Sequence, residues 1–241
     1  MRATEEHGVN GSIGSDGLSV VLSFRGRQVL VVGGGKVAVR KVRKLLGAGA
    51  RIRIVSPDVD KELHQKALAG ELHVEVRKYK SGDLEGVELV IAATSDGGVN
   101  TLVMEDARAM GIWCSSVDGT GKSDFYFAAE ASSGGVRLGV SSEGQCPGYA
   151  QYVRDAFLGQ LGPEMGVGLE VVSAIRRSLL SAGEYGSVKK HYMSIVSPVF
   201  FDVIRRGNET ELDRMLVEAF GVDYTLERLG VKLSVEGDCR P

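Results

Sequence analysis

The first half of the chain alternates short apolar runs with amphipathic stretches. Residues 28–32 (QVLVV) are rich in β-branched side chains, which is typical of a strand that is buried on both faces. Residues 37–46 place apolar side chains at helical spacing opposite a basic face. This alternation continues to about residue 118 and predicts a parallel, doubly wound sheet. The predicted strands are residues 28–32, 51–55, 72–77, 87–92 and 112–117, and the predicted helices are residues 37–46, 61–69 and 100–110.

The pattern changes after residue 118. Residues 123–133 favour no single structure, and residues 136–140 (VRLGV) predict a sixth strand. The glycine- and serine-rich residues 1–17 predict a disordered leader. We therefore expect a sheet domain at residues 18–147 and a smaller, mostly helical domain at residues 148–241. The predicted helices of this second domain are residues 149–160, 164–182, 187–206 and 209–220.

Composition and charge exclude several classes of protein. The 241 residues carry 29 basic and 31 acidic side chains, a net charge of -2, so no bulk positive field exists to hold nucleic acid or an anionic membrane. There is neither an apolar run of membrane-spanning length nor a signal peptide. The three cysteines form no C-x-x-C motif, which favours a reduced, cytoplasmic compartment. The four histidines are scattered, so we expect no structural metal site.

One glycine motif carries the strongest chemical signal. Gly33-x-Gly35-x-x-Ala38 follows an apolar strand and opens a helix, the context that a dinucleotide-binding fingerprint requires. Gly33 allows a tight turn, Gly35 lets the backbone approach a pyrophosphate, and Ala38 keeps the helix close to the strand. Lys36 and Val37 start the helix, where backbone N–H groups favour phosphate. The motif predicts a Rossmann-like fold, and the alternative is a glycine-rich turn that binds no nucleotide.

The ends of the second and fourth strands indicate which nucleotide would bind. Pro57 and Asp58 follow the second strand at the distance where an acidic side chain usually holds the ribose hydroxyls. No arginine follows immediately to bind a 2′-phosphate, so the sequence favours NAD over NADP as the cofactor. Asp58 could instead cap the next helix, or do both. Thr94 ends the fourth strand and predicts either a contact with the cofactor or a simple turn.

Further polar side chains follow the fifth and sixth predicted strands, at the same edge of the sheet. Asp118 could act there as a general base or form an Asx turn. Ser141 and Ser142 could bind substrate carboxylates or cap the next helix. For Asp118 and for the two serines, the residue types alone do not decide between the functional and the structural role.

Four ordered segments of the chain resemble one known family. They are similar to precorrin-2 dehydrogenases, the N-terminal module of siroheme synthases, and the resemblance extends over about residues 22–160. The segments are residues 24–57 (FRGRQVLVVGGGKVAVRKVRKLLGAGARIRIVSP), 91–100 (IAATSDGGVN), 112–119 (IWCSSVDG) and 138–155 (LGVSSEGQCPGYAQYVRD).

The resemblance implies a specific activity. The family oxidises precorrin-2, a tetrapyrrole, to sirohydrochlorin with NAD, some members also insert ferrous iron to give siroheme, and the members are homodimers. It implies that Asp118 is the catalytic residue and that Ser142 lies near the tetrapyrrole. The cofactor positions that it implies are Gly33, Gly35, Lys36, Val37, Pro57, Asp58 and Thr94. Cationic candidates for binding the substrate's carboxylates are Arg154, Arg176, Arg177, Lys189 and Lys190.

The chain departs from the family pattern in two places. Residues 125–130 lack the proline that usually precedes the sixth strand, and Glu143 stands where the following loop usually has glycine. A negative charge at Glu143 opposes the approach of an anionic substrate. We expect no methyltransferase module like that of the fused siroheme synthases. Two other interpretations stay open: an enzyme that is mainly a sirohydrochlorin ferrochelatase, and a regulatory module that senses the dinucleotide.

Overall fold

The computed structural model describes residues 17–119, 123–183 and 188–233. The chain divides into two compact units, with the boundary between Phe127 and Ala128. The leader expected at residues 1–17 lies outside the described residues, apart from its last position. In the described ranges, no helix is both long and apolar enough to cross a membrane.

The first unit is built on a five-stranded sheet with the order β3-β2-β1-β4-β5, in which every neighbouring pair is parallel. β1 has β2 on one side and β4 on the other, and such a switch point opens a crevice at the carboxyl ends of the strands. The strands are β1 (Gln28–Val32), β2 (Arg51–Val55), β3 (His73–Glu75), β4 (Leu89–Ala92) and β5 (Trp113–Ser116), and the helices are α1 (Lys36–Gly47), α2 (Lys61–Leu68) and α3 (Gly97–Met110), with a 3-10 turn at Ser81–Leu84.

Apolar side chains fill both faces of this sheet. Val29 and Val31 of β1 pack on one face, in the same cluster as the buried side chains of α1 and Leu63 of α2. The alternate residues Leu30 and Val32 belong to the cluster that contains the buried side chains of α3. Alternation along a strand sends successive side chains to opposite faces, so helices cover both sides of the sheet. The predicted Rossmann-like, doubly wound parallel sheet is confirmed.

The second unit combines a β-hairpin with helices. The hairpin joins β6 (Ala129–Ser133) to β7 (Val136–Val140) through Gly134 and Gly135. The helices enclose their own apolar core, in which Phe200 is fully buried. They are α4 (Pro147–Leu158), α5 (Glu164–Ser181), α6 (Val188–Met193), α7 (Pro198–Arg205), α8 (Glu209–Phe220) and α9 (Leu226–Leu229).

The sixth predicted strand is correct in position but does not extend the parallel sheet. Residues 136–140 form β7, which pairs antiparallel with β6 in a separate two-stranded sheet. A two-residue turn joins antiparallel neighbours, whereas a parallel pair needs a long crossover connection. The hairpin packs against α4 and α5. The second unit therefore begins at Ala128, whereas the sequence placed the domain boundary at residue 148.

The single helix predicted at residues 187–206 is interrupted. α6 ends at Met193, and a new helix, α7, begins at Pro198. Ser197 is the N-cap of α7, and its hydroxyl accepts a hydrogen bond from the backbone N–H of Phe200 at 3.2 Å. Proline has no backbone N–H and disfavours a helical conformation of the residue before it, so this Ser-Pro pair starts a helix rather than continuing one.

Candidate active site

Three consecutive glycines connect β1 to α1. Gly33 has a φ of +116°, and a Cβ at this position would lie 2.3 Å from the carbonyl oxygen of Ala93. A Cβ at Gly34 would lie 2.3 Å from the carbonyl oxygen of Asp58. Neither position has room for a side chain. Glycine is therefore required at Gly33, which packs against the segment after β4, and at Gly34, which packs against the segment after β2.

Gly35 differs from the other two glycines because it faces open space. A Cβ at Gly35 would meet no atom within 4 Å. Gly35 is the N-cap of α1, it has no side chain to cap the first N–H groups, and the first turn carries no acidic residue. By contrast, the carboxylates of Asp60 and Asp96 cap α2 and α3. The start of α1, with Lys36 exposed beside it, therefore suits the phosphates of a ligand.

The segment that follows β2 is tied to the glycine loop. The N–H of Asp60 donates to the carbonyl of Gly34 at 2.9 Å, and the hydroxyl of Ser56 donates to the carbonyl of Asp58 at 2.6 Å. Pro57 and Asp58 are both exposed. The capping role considered for Asp58 belongs to Asp60, whose side chain caps α2. The carboxylate of Asp58 is thus not needed for the helix and can meet a ribose at the end of β2.

A buried asparagine that the sequence analysis missed joins the ends of β4 and β5. The Oδ1 of Asn100 accepts from the N–H and the hydroxyl of Thr94, at 3.1 and 2.8 Å. Its Nδ2 donates to the carbonyl of Thr94 at 3.1 Å and to Oδ2 of Asp118. The sequence signal was an amide side chain on the stripe of α3 that is otherwise apolar and buried. Asn100 therefore brings two of the predicted site residues, Thr94 and Asp118, into one network.

Asp118 is exposed, yet both of its carboxylate oxygens have protein donors. Oδ2 accepts from Asn100, and Oδ1 accepts from the hydroxyl of Ser116 at 2.6 Å. The chain then returns to the edge of β5, where Asp124 and Cys114 exchange two hydrogen bonds of 2.8 and 2.9 Å. These contacts hold the Asp118 carboxylate at the carboxyl end of β5, where it is accessible to a ligand and can accept a proton.

Ser142 lies in the second unit, in the loop that connects β7 to α4. Its hydroxyl accepts from the N–H of Cys146, the N-cap residue of α4, at 3.1 Å, but no side chain caps the first turn of α4 itself. A hydroxyl can accept one hydrogen bond and donate another, so Ser142 can also donate to a carboxylate of a substrate. The neighbouring Glu143 has a φ of 51°, the one positive φ of a non-glycine residue in the described part of the chain. Glycine adopts this conformation without strain, whereas residues with a side chain do so rarely.

The cationic candidates on the second unit differ in their surroundings. Arg154 is engaged by the carboxylate of the next residue, at 2.6 and 2.8 Å, and its side chain is 17% exposed. Arg176 and Arg177 are exposed on α5, and Lys190 is exposed on α6. The side chain of Lys189 lies outside what the structure describes. The arginines of α5 are therefore more exposed than Arg154.

Lys41 adds an electrostatic feature to α1, the helix that starts at the glycine loop. Its Nζ lies 3.9 Å from the centroid of the Phe127 ring. Burial, and then repulsion from Lys44 and Arg40, lowers the pKa of Lys41 to about 8. The positive field along α1 therefore weakens as the pH rises through about 8.

The fold and the site together define a dinucleotide-binding α/β protein of the Rossmann type, with a hydrogen-bonded carboxylate at the carboxyl edge of its sheet. Residues 20–129 match a family model described as "Putative NAD(P)-binding". The matched region extends from before β1 to the first residue of β6. It includes the glycine loop, Asp58, Thr94 and Asp118.

More particularly, the chain is similar to siroheme synthases. It is 43% identical over 131 residues to the siroheme synthase of Ectopseudomonas mendocina, a match that covers 54% of this chain and 28% of that protein. It is 35% identical over 161 residues to siroheme synthase 2 of Aeromonas hydrophila, covering 67% of this chain and 34% of that protein. The chain thus spans about a third of the length of the curated relatives that it matches. The resemblance to the N-terminal module of siroheme synthases is confirmed.

A solved structure has the same fold. SirC, precorrin-2 dehydrogenase, matches with a TM-score of 0.67 over 84% of this chain and 98% of that one. The two sequences are 22% identical. At that identity the match establishes the fold, and the argument for activity depends on the residues of the site.

Proposed function

We propose that this chain is an NAD-dependent precorrin-2 dehydrogenase, which produces sirohydrochlorin for siroheme biosynthesis. The observation that carries the proposal is the combination of an open glycine loop and a fixed carboxylate at one edge of the sheet. Gly35 leaves room for a pyrophosphate, and Asp118 is held at the end of β5. The similarity to siroheme synthases supports the choice of a tetrapyrrole substrate.

The residues of the first unit fit a dinucleotide. The N–H groups of Lys36 and Val37, at the start of α1, would hold the pyrophosphate. The exposed carboxylate of Asp58 would accept hydrogen bonds from the ribose hydroxyls. A 2′-phosphate would be repelled by that carboxylate, and this supports NAD rather than NADP. Thr94, whose backbone Asn100 fixes, would contact the cofactor at the end of β4.

Oxidation of precorrin-2 to sirohydrochlorin removes one hydride and one proton from the macrocycle. Bound NAD supplies the hydride acceptor, so the protein has to orient the reactants and receive the proton. Asp118 would take that proton, because two donors hold its carboxylate in place and a ligand can reach it. The exposed carboxyl group would then release the proton to water. The balanced reaction converts precorrin-2 and NAD⁺ into sirohydrochlorin, NADH and H⁺.

The second unit offers polar and cationic side chains that suit the carboxylates of the substrate. The hydroxyl of Ser142 can donate to one of them, and Arg176 and Arg177 present positive charge at the surface of α5. Glu143 would keep substrate carboxylates away from its own position and so restrict the orientation of the macrocycle. The exposure of the two arginines and the chemistry of the substrate support these roles.

We further propose that the enzyme is a cytoplasmic homodimer. Large side chains exposed on the second unit support an association of two copies: Tyr149, Tyr152 and Val199 are 64%, 70% and 61% exposed. Among the described residues, no three His, Cys, Asp or Glu side chains are placed to bind a metal ion. In a second reaction, ferrous iron would enter as a substrate, and the Asp118 carboxylate could then receive a pyrrole proton.

Replacing Gly35 by valine is expected to weaken NADH binding by at least about tenfold, equivalent to about 1.4 kcal/mol. The added side chain would start in the open space in front of α1, where its Cβ meets no atom within 4 Å. A fluorescence titration with NADH measures the effect. Gly47→Val is the matched control, because Gly47 ends the same helix and a Cβ there also meets nothing within 4 Å. If Gly35→Val binds NADH as tightly as Gly47→Val and wild type, the glycine loop does not bind the dinucleotide.

A further inference from the structure

Asn100 is the most deeply buried polar side chain at the carboxyl edge of the sheet. It is 0% exposed, although it belongs to α3, whose other buried side chains are apolar. An amide in such a place is costly unless its hydrogen-bonding groups are satisfied. Here the chain satisfies them with the two strand ends that carry Thr94 and Asp118.

The four hydrogen bonds of Asn100 determine which way its amide points. Oδ1 faces the N–H of Thr94, which can only donate, at 3.1 Å. Nδ2 faces the carbonyl of Thr94, which can only accept, at 3.1 Å. The remaining N–H of Nδ2 is then directed at the carboxylate of Asp118. A side chain that merely anchored the turn after β4 would need only the bonds to Thr94, so the contact with Asp118 calls for a separate explanation.

We propose that Asn100 is a positioning residue for the dehydrogenase reaction, one that holds Asp118 as an ionised proton acceptor. This inference rests on the proposed function. A hydrogen bond donated to a carboxylate stabilises its charged form, and Asn100 and Ser116 donate to different oxygens of Asp118. The carboxylate is therefore fixed in direction and kept ready to accept a proton. The same amide also links Asp118 to Thr94. One side chain therefore positions both the proton acceptor, Asp118, and the proposed cofactor contact, Thr94.

The variant Asn100→Asp separates these two tasks. The new carboxyl group keeps an oxygen acceptor for the N–H and hydroxyl of Thr94, but in its ionised form it has no donor for Asp118. Two neighbouring carboxyl groups then share one proton, so Asp118 becomes an available base only at higher pH. We expect a kcat about tenfold to hundredfold lower, with a KM for NAD within about threefold of wild type. We also expect the acid-side midpoint of the kcat profile to move to higher pH.

Two companion variants control for damage to α3. Asn100→Ser is too short to reach Asp118 and should move the acid-side midpoint in the same direction, which covers the case in which Asn100→Asp does not fold. Asp96→Ala removes the N-cap of the same helix without touching Asp118, and it should leave the midpoint at its wild-type pH. A kcat within twofold of wild type, or a loss by the same factor at every pH, would overturn the positioning role.

A measurement without substrate distinguishes failure of this inference from failure of the proposed function. The ¹³C signal of the Asp118 carboxyl group, assigned with Asp118→Asn, can be followed during a pH titration. Its midpoint should lie about one pH unit or more higher in Asn100→Ser than in wild type, because the donated hydrogen bond is lost. An unchanged midpoint contradicts the role of Asn100. A wild-type protein that does not oxidise precorrin-2 contradicts the proposed function instead, and the titration still decides the role of Asn100.

Discussion

Replacing Asp118 by asparagine is expected to lower kcat for precorrin-2 oxidation by about 10²–10⁴-fold, the range associated with loss of a general base. The amide has nearly the shape of the carboxylate, so the loop should keep its place. Its oxygen can still accept from Asn100, and its NH₂ group can donate to the hydroxyl of Ser116, which can reverse its own hydrogen bond. The change therefore removes the proton acceptor while keeping both of these hydrogen bonds.

The affinity for NADH shows whether that change is as local as expected. The dissociation constant of NADH should stay within about threefold of wild type, because the glycine loop and Asp58 are untouched. Stopped-flow and steady-state rates under anaerobic conditions measure kcat. A variant that oxidises precorrin-2 within threefold of the wild-type rate would remove Asp118 from the mechanism. A variant that loses NADH binding as well would show that Asp118 supports the fold of the cofactor site.

The substitution Gly166→Ala is expected to destabilise the second unit by about 1–3 kcal/mol. A Cβ at Gly166 on α5 would lie 2.4 Å from Cα of Gly134 and 3.0 Å from its carbonyl oxygen, in the turn of the β6–β7 hairpin. Both contacts are with backbone, so no side chain can move aside to relieve them. On helix propensity alone the same substitution should stabilise α5 by up to about 1 kcal/mol. A measured loss of stability would therefore show that Gly166 lies against the backbone of Gly134.

The matched control is Gly148→Ala, in α4. A Cβ at Gly148 meets nothing within 4 Å, so this substitution should be neutral or stabilising. Thermal denaturation followed by circular dichroism compares the variants. Hydrogen exchange detected by mass spectrometry should show faster exchange in the hairpin and α5 of Gly166→Ala. If both substitutions stabilise the protein equally, the hairpin does not pack against α5 as the structure has it.

The first unit could be predicted from the sequence because its signals are local. Residues 28–32 are predicted as a strand by an apolar run and residues 51–55 by alternating polar and apolar residues, and both ranges are the observed bounds of β1 and β2. The glycine loop follows from one motif in one context. The motif does not show that the three glycines have different roles. Packing requires Gly33 and Gly34, whereas the space beside Gly35 is empty.

The second unit was predicted less well because its organisation depends on contacts between distant segments. The pairing of β6 with β7 follows from the Gly134-Gly135 turn, which the sequence analysis did not use. The interruption before α7 follows from the Ser197-Pro198 pair, a local signal within the range predicted as one helix. Burial of Asn100 depends on the approach of β5 to α3, and the spacing of residues within α3 alone cannot show which polar group will accept its hydrogen bonds.

The most direct test of the account is an anaerobic assay of the wild-type chain with precorrin-2 generated in place and NAD added. The account predicts that the sirohydrochlorin absorbance and NADH rise together in a one-to-one ratio, and that Asp118→Asn slows both by about 10²–10⁴-fold while still binding NADH. Wild-type protein that binds NADH but forms no sirohydrochlorin would contradict the dehydrogenase. The same sample, supplied with sirohydrochlorin and ferrous iron, would then separate a ferrochelatase from a module that senses the dinucleotide.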